Sequence, residues 1–195
     1  MVKLYQVLPP TWPLAASSYE KIFKQTRSQL GRIAHFQRQF SVSPRPEAPF
    51  NVGVGLALWH PARGLMLLGT SNYKAAIGRR QHRCPDRCGE MCGIDAARDL
   101  RAKIICMVAE APSEPDDQSG FYPGVKVSCW YCRYDFREQL ADAESPLSRE
   151  TWLRFNHPTE RKKHFEKQVG PFLQLFPSDP LTLDSPDLYA NRGGP

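Results

Sequence analysis

Apolar positions change their period several times along the chain, and each change marks an element. Tyr19, Ile22, Phe23, Thr26, Leu30, Ile33 and Ala34 recur at helical spacing, so residues 18–38 read as an amphipathic helix with one buried stripe, opened by a capping box of Ser17 and Glu20. Three prolines at 44–49 end it. From Phe50 the period drops to two. Phe50, Val52, Val54, Leu56 and Leu58 share one face of a strand, and Asn51, Gly53, Gly55 and Ala57 leave the other face small enough for close packing. The turn at 60–64 and the run Leu65-Met66-Leu67-Leu68 complete a hairpin.

After a loop of about sixteen residues, 88–101 reads as a second helix. Residues 103–109 are continuously apolar and too few for a surface helix, so they read as a strand buried on both faces at the centre of a sheet. Residues 112–124 are polar and proline-containing, which predicts a surface loop. A short strand at 125–128 and a helix at 129–143 follow. Beyond them the pattern predicts helices at 148–155 and 159–169, a last strand at 172–176 and a tail at 184–195. The expected architecture is therefore α/β: a mixed sheet of about five strands flanked by helices, in a single domain over 1–195 with a core at 18–143 and a helical extension at 148–176.

Composition narrows the class without naming a function. At 195 residues with 41% hydrophobic and 24% charged residues, the chain is neither disordered nor fibrous. No apolar stretch approaches the roughly 18 residues of a membrane span. Prolines at 9, 10 and 13 interrupt any would-be signal segment, so a soluble cytoplasmic protein is the expectation. The 26 Lys+Arg against 20 Asp+Glu give a net charge of +6, which permits an anionic partner, and Arg79-Arg80-Gln81-His82-Arg83 is the densest basic cluster.

The six cysteines carry the chemistry. Cys84, Cys88 and Cys92 fall close together, Cys106 lies alone in the apolar run, and Cys129 and Cys132 form a C-x-x-C. In a reducing compartment such spacing points to metal or catalysis before disulfides. Two segments share one design, a strand running into cysteines that open a helix, and helix N-termini stabilise thiolates. Three thiolates from Cys88, Cys129 and Cys132 would hold Zn²⁺ with a fourth position left for water, the arrangement of a catalytic site. Glu90, two residues after a ligand, is placed to take that water's proton. The competing reading is a closed structural zinc completed by Cys84.

At Cys88, Glu90, Cys129 and Cys132 the sequence resembles the cytidine deaminase superfamily, whose signature is H-x-E followed by P-C-x-x-C. The all-cysteine ligand set is similar to its free-nucleoside and blasticidin S deaminase-like branch. Residues 50–56, Phe-Asn-Val-Gly-Val-Gly-Leu, look like that branch's F-x-V-G-A-A-L first strand, and Cys132-Arg133 resembles the start of its C-R-Q. Ser128 stands where the family has proline, Tyr134 where it has glutamine, and Asn72-Tyr73-Lys74 matches only the asparagine of its ribose-binding N-x-E. The resemblance implies a three-layer sandwich, one Zn²⁺, Glu90 as proton shuttle, and Phe50 and Asn72 as substrate-binding residues. It implies hydrolytic deamination of cytidine or a cytidine-like nucleoside and possible assembly into homo-oligomers, while the lack of a long apolar run leaves no membrane partner expected. Two other functions compete: deamination of cytosine in single-stranded nucleic acid, and a non-enzymatic zinc module.

Overall fold

The computed structural model describes residues 14–39, 51–74, 86–111, 119–121, 124–160, 162–177 and 179. Helix α1 (Ala16–Gln39) is followed by strands β1 (Gly53–His60), β2 (Gly64–Ser71), β3 (Tyr73–Lys74) and β4 (Asp86–Arg87), then helix α2 (Gly89–Asp99) and strand β5 (Lys103–Glu110). Strands β6 (Ser119–Phe121) and β7 (Lys126–Cys129), helix α3 (Trp130–Ala141), strands β8 (Trp152–Asn156) and β9 (His164–Gln168) and the short helix α4 (Val169–Leu173) complete the order. Five strands form one mixed sheet in the order β2-β1-β5-β8-β9. All neighbours in it are antiparallel except β5 and β8. β3 pairs with β4 and β6 with β7 in two small ladders outside that sheet.

β5 holds the central place that its continuous apolar run predicts. Ile105 and Val108 face α1 in one core, whereas Ile104 and Met107 join Ile94 of α2 and Phe136 of α3 in the other. The result is a three-layer α/β sandwich, with α1 on one face and α2, α3 and α4 on the other. The small residues of β1 explain how closely α1 approaches. A side chain at Gly53 or Gly55 would run into the α1 backbone at Ala34 and Leu30, so the glycines there bring helix and sheet into contact. At the ends of these elements the buried carboxylate of Glu110 meets His35 at 2.9 Å and Arg38 at 3.0 Å.

Several sequence expectations are corrected. α1 begins at Ala16, so Ser17 lies inside the first turn, and Glu20 pairs with Lys24 at 2.6 Å along the exposed side of the helix. The polar stretch 112–124 contains β6, which pairs with β7. The largest correction concerns 148–176. The segments expected as helices at 148–155 and 159–169 contain the antiparallel pair β8 and β9, and the strand expected at 172–176 is replaced by α4 and its following turn. Leu153 and Phe155 alternate into the core, while Trp152 turns the other way and stacks on Phe23 with ring centroids 4.9 Å apart. Pro171 sits in the first turn of α4, where a missing N–H costs nothing, and Phe172 and Leu173 are buried. Residues 152–168 are thus two of the main sheet's five strands, not a helical extension of a core that ends at 143. The tail at 184–195 lies outside the described residues.

Candidate metal centre

Two strand-to-helix junctions meet on the α2 and α3 side of the sheet. Cys88 is the N-cap of α2 and Cys129 the N-cap of α3, with Cys132 in the first turn. Their sulfur atoms lie within 4.8 Å of one another, although 41 positions separate the first two. Sγ of Cys129 stands 3.9 Å from that of Cys88 and 3.7 Å from that of Cys132. Two thiolates about 2.3 Å from one ion at the tetrahedral angle would stand about 3.8 Å apart, so the sulfur spacing fits three corners of such a site. All three are buried and unbridged, and they can hold a metal ion. Hydrogen bonding with Cys132, then with Cys88, pulls Cys129 well below the ordinary thiol range, aided by the positive charge of Arg133. Both helix N-termini add partial positive charge at the sulfurs.

The surrounding residues fix this arrangement. Gly89 is held from the sheet: Asn72 Oδ1 accepts its N–H at 2.9 Å, and Thr70 Oγ1 donates to its carbonyl at 2.8 Å. A Cβ at Gly89 would stand 3.0 Å from a methyl of Val54 and 3.2 Å from the carbonyl oxygen of Val52, so a side chain there would press on β1. At the other junction the Arg133 guanidinium donates to the carbonyl of Ser128 and pairs with Asp179 at 2.7 Å. It also lies 3.9 Å from the centre of the Phe176 ring. Arg137 adds a second ion pair to Asp179 at 3.0 Å and donates to the carbonyls of Leu173 and Phe176.

Glu90 is buried beside the sulfurs, and Ser128 Oγ donates to its Oε1 at 3.0 Å. Burial, then the negative charge of Cys129, pushes Glu90 up to about 7, against the hydrogen bonds from its own backbone and Ser128 and the charge of Lys126. Cys88, Glu90, Lys126, Ser128 and Cys129 share the lining of one cavity with Val52, and its volume of about 10 Å³ is room for a single water. A carboxyl poised near neutrality beside a group of thiols can accept and return a proton.

The expected residues Cys88, Glu90, Cys129 and Cys132 therefore come together. Asn72 is buried next to them, bonded to the backbone of Gly89. Phe50, Cys84, His82 and the basic cluster at 79–83 lie outside the described residues. Cys106 is a core residue on the α1 side, its thiol 3.5 Å from Thr26 Oγ1 and pushed by burial up to about 12. His60 caps the β1–β2 turn by accepting the N–H groups of Ala62 and Arg63 at 3.1 Å each. Trp130 and Tyr131 stack on each other with centroids 3.7 Å apart. Sequence reasoning missed Ser128 and Lys126 as cavity residues. Their signal was present, because positions 126 and 128 of one strand point the same way, immediately before a cysteine expected to bind metal.

A scan against protein-family models finds no match to this chain, and comparison with curated protein sequences finds none either. No described helix is long and apolar enough to cross a membrane.

Proposed function

We propose that the protein is a zinc-dependent hydrolase that deaminates cytidine or a cytidine-like nucleoside to the uridine form. The observation that carries the reading is the convergence of Glu90 with Cys88 and Cys129 on one small buried cavity, from segments far apart in the chain. Cys88, Cys129 and Cys132 would hold the ion, and three protein ligands leave a tetrahedral site one open position. When bound there, zinc supplies a Lewis acid that makes water nucleophilic near neutral pH.

The chain's own groups supply the rest. Glu90 takes one proton of the attacking water at its carboxylate and delivers it to the ring nitrogen, then takes the proton remaining on that oxygen and delivers it to the departing amine, which leaves as ammonia as the ring carbonyl forms. Its burial beside the sulfurs suits it to hold a proton between these transfers. Ser128 fixes one carboxylate oxygen of Glu90 and so limits its rotation. The small cavity limits the water beside Glu90 to about one molecule. The all-cysteine ligand set and the similarity of residues 50–56 to the first strand of the free-nucleoside branch favour a nucleoside over a nucleic acid strand.

The test is metal analysis of the purified protein joined to assays on cytidine, deoxycytidine and a single-stranded oligonucleotide, read for the uracil product. About one zinc per chain with turnover of the free nucleosides is the expected result. Turnover confined to the oligonucleotide, falling steeply between 50 and 200 mM salt as polymer binding does, would replace the substrate class. Bound zinc without turnover of any of the three would leave a structural metal module.

A further inference from the structure

A helix opens with N–H groups that its own turn cannot satisfy, and the residue at its N-cap usually satisfies one of them with its side chain. Cys88 makes no such bond. Its sulfur faces Cys129 instead, 3.9 Å away. The first N–H of α2, on Gly89, is satisfied from the sheet by Asn72, which is itself only 2% exposed. Two positions earlier Thr70 holds the carbonyl of the same residue. Alternation along an extended chain puts residues 70 and 72 on one side, so both reach the same segment of α2. The backbone N–H of Asn72 in turn donates to the carbonyl of Val52, the oxygen that a Cβ at Gly89 would press against.

We infer that Thr70 and Asn72 are positioning residues that clamp Gly89 from both sides and thereby fix the sulfur of Cys88 relative to the carboxylate of Glu90. Gly89 is the single residue between a metal ligand and the proton shuttle. Rotation about its backbone would move the two groups relative to each other, so the clamp sets the distance on which proton transfer depends. Oδ1 of Asn72 thus acts on the protein's own backbone, a role different from the ribose contact that the sequence resemblance implies. The kinetic part of the inference rests on the deaminase reading, whereas the clamp itself does not.

The experiment uses the full chain and three substitutions. In Asn72→Ala the acceptor is gone; in Asn72→Asp an acceptor oxygen remains but the amide NH₂ is lost; Thr70→Val removes one hydroxyl at nearly constant size. Amide hydrogen exchange at Gly89 reads the clamp directly, and transfer of zinc to a chelator reads its consequence. Asn72→Ala is expected to expose the Gly89 amide to faster exchange, to release zinc about tenfold faster and to lower kcat on cytidine with KM nearly unchanged. Asn72→Asp is expected to retain slow exchange and slow zinc release. Wild-type exchange and zinc release in Asn72→Ala would overturn the inference. So would a defect confined to KM and equal in the Ala and Asp variants, which would mark the amide as a substrate contact. Should Asn72→Ala fail to fold, Thr70→Val decides: faster zinc release supports the clamp and wild-type release rejects it. A wild-type chain that binds no zinc would defeat the metal reading, and exchange at Gly89 would still decide the clamp.

Discussion

The two junctions that meet at the cysteine cluster are built from the same local pattern and secured by different forces. The Cys88 junction is held from β2 and the residue after it through neutral hydrogen bonds, one donated by Thr70 and one accepted by Asn72, and by close packing of Gly89 on β1. The Cys129 junction belongs to a strand outside the main sheet and is held by charge, with Arg133 and Arg137 gripping Asp179 and backbone carbonyls. One half is sensitive to shape and the other to ionisation. A site assembled this way can lose its two halves separately, and four experiments separate them.

The largest effect is expected where the halves join. Cys129→Ser removes the sulfur that lies close to both others, so metal analysis should find the variant without zinc and thermal unfolding should find it destabilised. Retention of a full equivalent would show that Cys129 is not a ligand. Next comes Glu90→Gln, which keeps size but cannot accept a proton. On the proposed deaminase reading, turnover should fall by about 10³-fold with the metal content unchanged, and near-normal turnover would remove Glu90 from the chemistry.

Gly89→Ala probes the shape-held half alone. Its methyl would press on Val54 and on the carbonyl of Val52, and overpacking of this kind costs about 1–3 kcal/mol, measurable as a lowered midpoint in denaturant. An unchanged midpoint would mean that the approach of α2 to β1 carries slack. The smallest effect is expected in the charge-held half. Burial raises the pKa of Asp179, but the hydrogen bonds and charges of Arg133 and then Arg137 outweigh it, so the carboxyl lies below its ordinary 3.8. The stability it contributes is fully present above that ordinary value and is lost as pH falls through the lower folded one. Asp179→Asn should cost about 1–2 kcal/mol at neutral pH, and the difference from wild type should vanish in strong acid. A difference that persists there would place the effect in packing.

How much of this could be read beforehand depends on how local each cause is. β1 and β5 were legible because burial on one face or both writes itself into a strand's own residues, as in Val54-Gly55-Leu56 and Ile104-Ile105-Cys106. The cysteine group was legible because Cys88 and the pair Cys129 and Cys132 each stand where a strand opens a helix. β8 and β9 were not. Glu166 and Lys167 suit an exposed helix as well as an edge strand, and what selects the strand is pairing with β8, itself aligned on β5 far earlier in the chain. The bond between Gly89 and Asn72 spans 17 positions and that from Ser128 to Glu90 spans 38, so alternation could place Ser128 beside the cysteine but neither residue's neighbours name its partner.

The place of β8 also governs the order in which the molecule can be made. Its register joins Cys106 to Trp152, so the central strand must wait for residues synthesised much later before its second edge is paired. Until then a ribosome-bound chain carries the hairpin, α2 and β5 with a bare apolar strand edge open to any neighbouring nascent chain, and long-range parallel pairing of this kind closes slowly. Translation speed past residue 111 therefore sets how long that edge stays uncovered, and slow stretches there would favour association over folding.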